Sequence, residues 1–147
     1  MSNKRLIGLA ADHAGFAMKE YLKKQLLAHG YEVKDFGTYS DESCDYADFA
    51  HPLGDAVDRG QITTAMAFCG SGNGINITLN KHKSVRSAYC WNTEITRLAR
   101  QHNDANICTM PARFLDESTV WNIAQLFLST EFEGGRHQRR IEKISKT

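Results

Sequence analysis

The sequence predicts a three-layer, doubly wound α/β fold, with a five-stranded parallel sheet carrying helices on both faces. Three observations predict it. Short apolar runs alternate with stretches of helical periodicity along all 147 residues, the signature of strand–helix–strand units whose crossovers demand a parallel sheet. One run, Ala65-Met-Ala-Phe-Cys69, ends in a cysteine and passes straight into Gly70-Ser-Gly-Asn-Gly74 before apolar residues resume, which reads as a buried strand, a tight loop and a helix start. Finally, nothing resembles a linker, repeat or low-complexity tract, so residues 1–147 form a single domain, with 134–147 a basic C-terminal tail.

Taken in order, Leu6-Ile-Gly-Leu-Ala-Ala11 is the first strand, and Asp12-His13-Ala14-Gly15 stands at its end. Ala14, Ala17, Met18, Tyr21, Leu22 and Leu26 follow at helical spacing, with Lys19, Glu20, Lys23 and Lys24 between them and Gly30 as the stop. Tyr31–Phe36 alternates like a strand, and residues 37–45 form a polar loop. Tyr46, Ala50, Leu53 and Val57 then mark a second helix, whose start Pro52 leaves open. Beyond the glycine loop a helix runs to about Asn80. Val85–Cys90 is the fourth strand. Asn92 caps a helix with the face Ile95, Leu98, Ala99 and His102. Asn106–Met110 is the fifth strand. Asp116 caps a last long helix facing inward through Val120, Ile123, Ala124, Phe127 and Leu128. Gly134-Gly135 turns the chain into the tail. The arrangement is Rossmann-like.

Composition excludes several classes. The 18 basic and 17 acidic residues nearly balance, so no nucleic acid or membrane partner is indicated. Met1-Ser-Asn-Lys-Arg leads into an apolar run too short for a signal peptide or a membrane span. Cys44, Cys69, Cys90 and Cys108 lack zinc-site or C-x-x-C spacing and read as free thiols in the cytoplasm, with Cys44, Cys90 and Cys108 structural. Gly70, Gly72 and Gly74 do not fit G-x-G-x-x-G, because position 75 is Ile, and no Gly-Lys-Ser/Thr follows, so no nucleotide motif survives.

The candidate chemistry gathers at strand ends. In a doubly wound sheet the strand-to-helix junctions share one edge, which brings Asp12, His13, Cys69 and the glycine loop together, with Arg113 following the fifth strand to the same edge. The loop and helix start offer backbone N–H groups to an anion. Asp12 is both a helix cap and a candidate functional acid. Cys69 is either a buried small hydrophobe or a thiolate favoured by the helix N-terminus. His102 shares an apolar face, as a core histidine would, yet polar Asn103-Asp104 follow it. Arg136 and Arg140, one helical turn apart, suit either a solvated tail or a phosphate clamp. An anion cradle, a thiol, a histidine and arginines together point to proton transfer on a small phosphorylated substrate.

The motifs Asp12-His-Ala-Gly-Phe16, Asp35-Phe-Gly-Thr-Tyr-Ser40, Cys69-Gly-Ser-Gly-Asn-Gly74, Leu98-Ala-Arg-Gln-His-Asn-Asp-Ala-Asn106 and Phe132-Glu-Gly-Gly-Arg-His-Gln-Arg-Arg140 resemble those of ribose-5-phosphate isomerase type B, across nearly the whole chain and in the family's order. That family also includes isomerases of galactose 6-phosphate and allose 6-phosphate. The resemblance implies interconversion of ribose 5-phosphate and ribulose 5-phosphate through a cis-enediolate, without metal or cofactor. It implies Cys69 as general base and His102 as the acid that opens the furanose ring, with Asp12 assisting. Gly70, Ser71, Gly72, Asn73 and Gly74 would surround the enediolate oxygen. His13, Asn103, Arg113, Arg136 and Arg140 would hold the sugar and its phosphate. It further implies a homodimer with shared sites, able to pair into a tetramer, the tail arginines reaching the neighbour's pocket. Relatives that use a glutamate after the glycine loop differ here, since that position is Ile75. Pro111-Ala-Arg113 stands where Gly-Ala-Arg is more usual, and Cys90-Trp-Asn also departs from commoner versions. A six-carbon sugar phosphate as substrate and a non-catalytic sugar-phosphate sensor are the alternatives; the Gly-Gly-Arg-x-x-x-Arg tail favours the five-carbon version over galactose 6-phosphate.

Overall fold

In the computed structural model, which describes residues 5–145, the strands are β1 (Leu6–Ala11), β2 (Glu32–Asp35), β3 (Ala65–Cys69), β4 (Ser87–Tyr89) and β5 (Ile107–Pro111). The helices are α1 (Phe16–Ala28), α2 (Tyr46–Asp58), α3 (Asn73–Leu79), α4 (Thr93–Asn103), α5 (Glu117–Ser129) and α6 (Arg136–Glu142). The polar lead at residues 1–4 and the last two tail residues lie outside the described ones. The sheet is wholly parallel with order β2-β1-β3-β5-β4, so β3 is central and the predicted fold class is the observed one.

The pleat divides the core. Ile7, Leu9, Met66, Phe68, Cys108 and Met110 point to the face covered by α1, α4 and α5, where Leu22, Leu26, Ala99, Val120, Ile123 and Phe127 meet them. Ala10, Ala65, Ala67, Cys69 and Ile107 point to the other face, under Leu53, Val57, Ile75 and Leu79 of α2 and α3. The side chains of β1 and β3 on the three-helix face are mostly large, while those on the two-helix face are alanines and Cys69. Because every residue of β3 and β5 is buried, on both faces of the sheet, these two strands read as nearly continuous apolar runs.

One open point is settled and two local expectations are corrected. The α2 helix begins at Tyr46 and runs through Pro52, which is exposed and costs the helix one N–H donor without ending it. The inward residues of α4 are Thr96 and Ala99, while Ile95 is exposed, because α4 touches the sheet along a narrow stripe at its edge. Lys19, placed among the polar residues of α1, is fully buried: its Nζ lies 2.8 Å from Asp35 Oδ2 and 2.7 Å from Glu20 Oε2. Burial alone would raise the Asp35 carboxyl, but hydrogen bonds from Lys19, the Gly37 N–H and Lys23 outweigh it and hold that carboxyl below its ordinary value. The caps are as expected: Asn92 accepts from the Ile95 N–H and Asp116 from the Thr119 N–H.

Candidate active site

The carboxyl edge of the sheet carries one group of candidates. Cys69 is the last residue of β3, only 4% exposed, and is in register with Pro111 of β5. Its carbonyl accepts from the Ala112 N–H at 2.9 Å. Asp12 follows β1, whose Ala11 pairs with Phe68, so it stands beside Cys69 in the neighbouring strand. Its N–H donates to the Phe68 carbonyl at 3.3 Å, and its Oδ1 accepts from the Gly15 N–H at 3.0 Å. The cap reading of Asp12 is therefore met, and the carboxylate is buried at the site as well. His13 Nδ1 accepts from the Cys44 N–H at 3.2 Å, which places the proton of its neutral ring on Nε2.

The glycine loop is pinned from two sides. Gly72 caps α3 with φ of +81°, and a β-carbon there would lie 2.6 Å from the Tyr89 ring and 3.2 Å from the Pro111 nitrogen. The Tyr89 hydroxyl donates to the Ser71 carbonyl at 2.7 Å, and Ser71 Oγ accepts from the Asn73 N–H at 3.2 Å. The first intrahelical bond of α3 runs from Asn76 N–H to Gly72 C=O, so the Gly74 and Ile75 N–H groups precede it. Arg113 belongs to this group: its N–H donates to the Gly70 carbonyl at 3.0 Å, and its guanidinium lies against Gly70, 3.1 Å from where a β-carbon would sit. Pro111, the departure from the usual pattern, is the buried end of β5 and leaves Arg113 against the loop. Ile75, which follows the glycine loop, is wholly buried in the core.

The remaining candidates lie at the opposite edge. The α4 helix starts at the carboxyl edge, runs back along 11 residues, and ends where the Asn103 and Asp104 carbonyls accept from Arg86, at the head of β4. Eleven residues span about 16 Å. His102 and Asn103 therefore sit at the amino edge, away from Cys69 of the same chain. The tail folds back onto that end of α4: the Glu133 N–H donates to the Gln101 carbonyl at 3.0 Å, and the His137 ring stacks on His102 with centroids 4.2 Å apart and planes 13° from parallel. Arg136 and Arg140 are exposed on this short α6, one turn apart as expected. The side chain of His102 is 39% exposed, so it is not a core histidine.

Four residues escaped the sequence reading as site components. Tyr89 holds the loop, Tyr46 packs its ring on Gly74, and His137 and Glu133 frame His102. The position of Tyr89 at a strand's carboxyl end was an available signal. The roles of His137 and Glu133 depend on the tail's docking, which carries no local signature. Burial, then the electrostatic influence of the neighbouring His102 ring and the Arg136 guanidinium, hold the His137 imidazole below its ordinary value despite Glu133. Among the described residues, no helix is long and apolar enough to cross a membrane.

Comparison with known proteins agrees with this architecture. Residues 7–144 match the model of the family described as Ribose/Galactose Isomerase. Ribose-5-phosphate isomerase B of Escherichia coli is 36% identical over 139 residues, covering 95% of this chain and 93% of that protein. A ribose 5-phosphate isomerase structure from Thermotoga maritima superposes with a TM-score of 0.96 at 41% identity, covering 99% of this chain and all of that one (100%). The Mycoplasma genitalium ribose-5-phosphate isomerase B, solved with bound ribulose-5-phosphate, gives a TM-score of 0.90 at 37% identity, covering 95% and 93% of the two chains. On a family match that spans nearly the whole described chain, this protein belongs to the Ribose/Galactose Isomerase family.

Proposed function

We propose that the chain is an aldose-ketose isomerase interconverting ribose 5-phosphate and ribulose 5-phosphate through a cis-enediolate. The observation that carries the reading is the thiol of Cys69 held at the carboxyl end of the central strand, beside a loop whose backbone N–H groups and adjacent Arg113 suit an anionic substrate. The isomerisation needs a base that moves a proton between C1 and C2, and donors preorganised around the oxygen that gains charge. Cys69 takes the first part, and the N–H groups of the 70–74 loop with the Ser71 hydroxyl take the second, a contribution of about 3 kcal/mol per well-placed donor. Asp12, buried beside Cys69, steadies the sugar with His13. The relative from Mycoplasma genitalium, bound to ribulose-5-phosphate, supports the five-carbon substrate.

Each site is assembled from two copies of the chain. His102 as ring-opening acid, with Asn103, Arg136 and Arg140 as sugar and phosphate contacts, lies at the sheet edge opposite Cys69, so a single chain does not hold base and acid together. A homodimer that sets one copy's amino edge against the other's carboxyl edge unites them and makes both sites equivalent; such dimers can pair again into a tetramer. Four free cysteines fit a reducing, cytoplasmic setting.

The test is turnover of ribose 5-phosphate by wild type and Cys69→Ala with a chelator present. Loss of about 10²–10⁴-fold in kcat with an unchanged melting curve is expected. Near-normal turnover by the variant removes Cys69 from the mechanism, and a higher kcat/KM on allose 6-phosphate reverses the substrate assignment.

A further inference from the structure

A second chemistry is available at the amino edge. His102 Nε2, His137 Nε2 and Glu133 Oε1 lie within 4.8 Å of one another, with His137 to Glu133 at 3.5 Å and His102 to Glu133 at 4.0 Å. Two imidazole nitrogens and a carboxylate oxygen are a frequent donor set for Zn2+ and its neighbours. A tetrahedral ion with bonds of about 2.1 Å holds its ligand atoms about 3.4 Å apart, so small side-chain movements close the gap. In the single chain the His102 and Glu133 side chains are 39% and 50% exposed, which leaves them room for such movements.

An independent observation marks the place. His137 is buried, its side chain only 7% exposed, yet its Nε2 has no hydrogen-bond partner among the described residues. Leaving a buried ring nitrogen unsatisfied costs free energy that a bound ion would recover. The Gly134-Gly135 turn and the Glu133 N–H bond to Gln101 fix the segment that brings Glu133 and His137 onto His102.

We propose that His102, Glu133 and His137 form a binding site for a borderline divalent cation of the Zn2+ class. Its effect on activity rests on the catalytic reading above: an ion on His102 Nε2 takes the lone pair that must carry the proton for ring opening, so Zn2+ acts as a reversible inhibitor.

Calorimetric titration of the full chain with Zn2+, and Co2+ titration followed by visible absorption, test the site. One ion per chain is expected, without a thiolate charge-transfer band. Glu133→Gln and His137→Asn should each weaken binding by about tenfold or more, while Asp55→Asn, which alters the separate His82 cluster, should leave it unchanged. Undiminished affinity in Glu133→Gln and His137→Asn, or a Co2+ thiolate band that disappears in Cys69→Ser, overturns the proposal. Turnover separates the two claims. Zn2+ should inhibit wild-type turnover, and the fraction inhibited at a fixed Zn2+ concentration should fall in Glu133→Gln whatever the basal rate of that variant. Binding that depends on Glu133 and His137 yet leaves turnover intact confirms the site and refutes His102 as the acid.

Discussion

Two inactive variants should restore each other. Cys69→Ala removes the proposed base at the carboxyl edge, and His102→Ala removes the proposed acid at the amino edge of the same chain, a helix length of about 16 Å away. In a dimer that pairs opposite edges, a hybrid of the two variants has one site with both residues intact and one site with neither. Random pairing of equal amounts makes half the dimers hybrids, each with one working site of two, so the mixture should regain about a quarter of wild-type activity. The assay is ribose 5-phosphate turnover after co-refolding of the two variants, compared with each variant refolded alone. Recovery to that level supports a shared site. If the site lay within one chain, every site in the mixture would carry one lesion, and activity would stay at the level of the variants. That result would refute the two-copy arrangement while leaving the isomerase reading standing.

Further perturbations follow from the local geometry. Asp35→Asn removes the more buried carboxylate partner of a fully buried Lys19, leaving the half-exposed Glu20 carboxylate, and should cost about 3 kcal/mol, or a fall of about 10 °C in Tm. Because the folded Asp35 carboxyl is held below its ordinary value, its contribution is complete above the unfolded value near 4 and is lost as pH falls through the folded one; an equal difference between wild type and variant at pH 7 and pH 3 would contradict this pairing. Gly72→Ala forces a left-handed alanine, costing about 1–2 kcal/mol, and drives its β-carbon into Tyr89, so melting temperature and turnover should fall together. Tyr89→Phe loses the bond to the Ser71 carbonyl; kcat should drop about fivefold, equivalent to about 1 kcal/mol, with little change in Tm, and unchanged kcat would show that the loop needs no such tether.

The order of strands and helices, the caps at Asn92 and Asp116, and the convergence of Asp12, Cys69, the glycine loop and Arg113 were all determined by the sequence itself. The reason is that they depend on local periodicity, on turn chemistry within a few residues, and on the right-handed crossover that puts every strand-to-helix junction on one edge. The tertiary structure alone decided that Lys19 is buried against Asp35 across 16 residues, that Ile95 faces out, and that Tyr89 reaches Ser71. It also decided that the tail returns to stack His137 on His102, at the edge opposite the thiol. These outcomes follow from which elements pack side by side, and a helix face in the sequence carries no mark of its neighbour. His102 shows the division most clearly: its helix was legible from spacing, but the edge at which that helix ends follows from the direction the helix runs across the sheet.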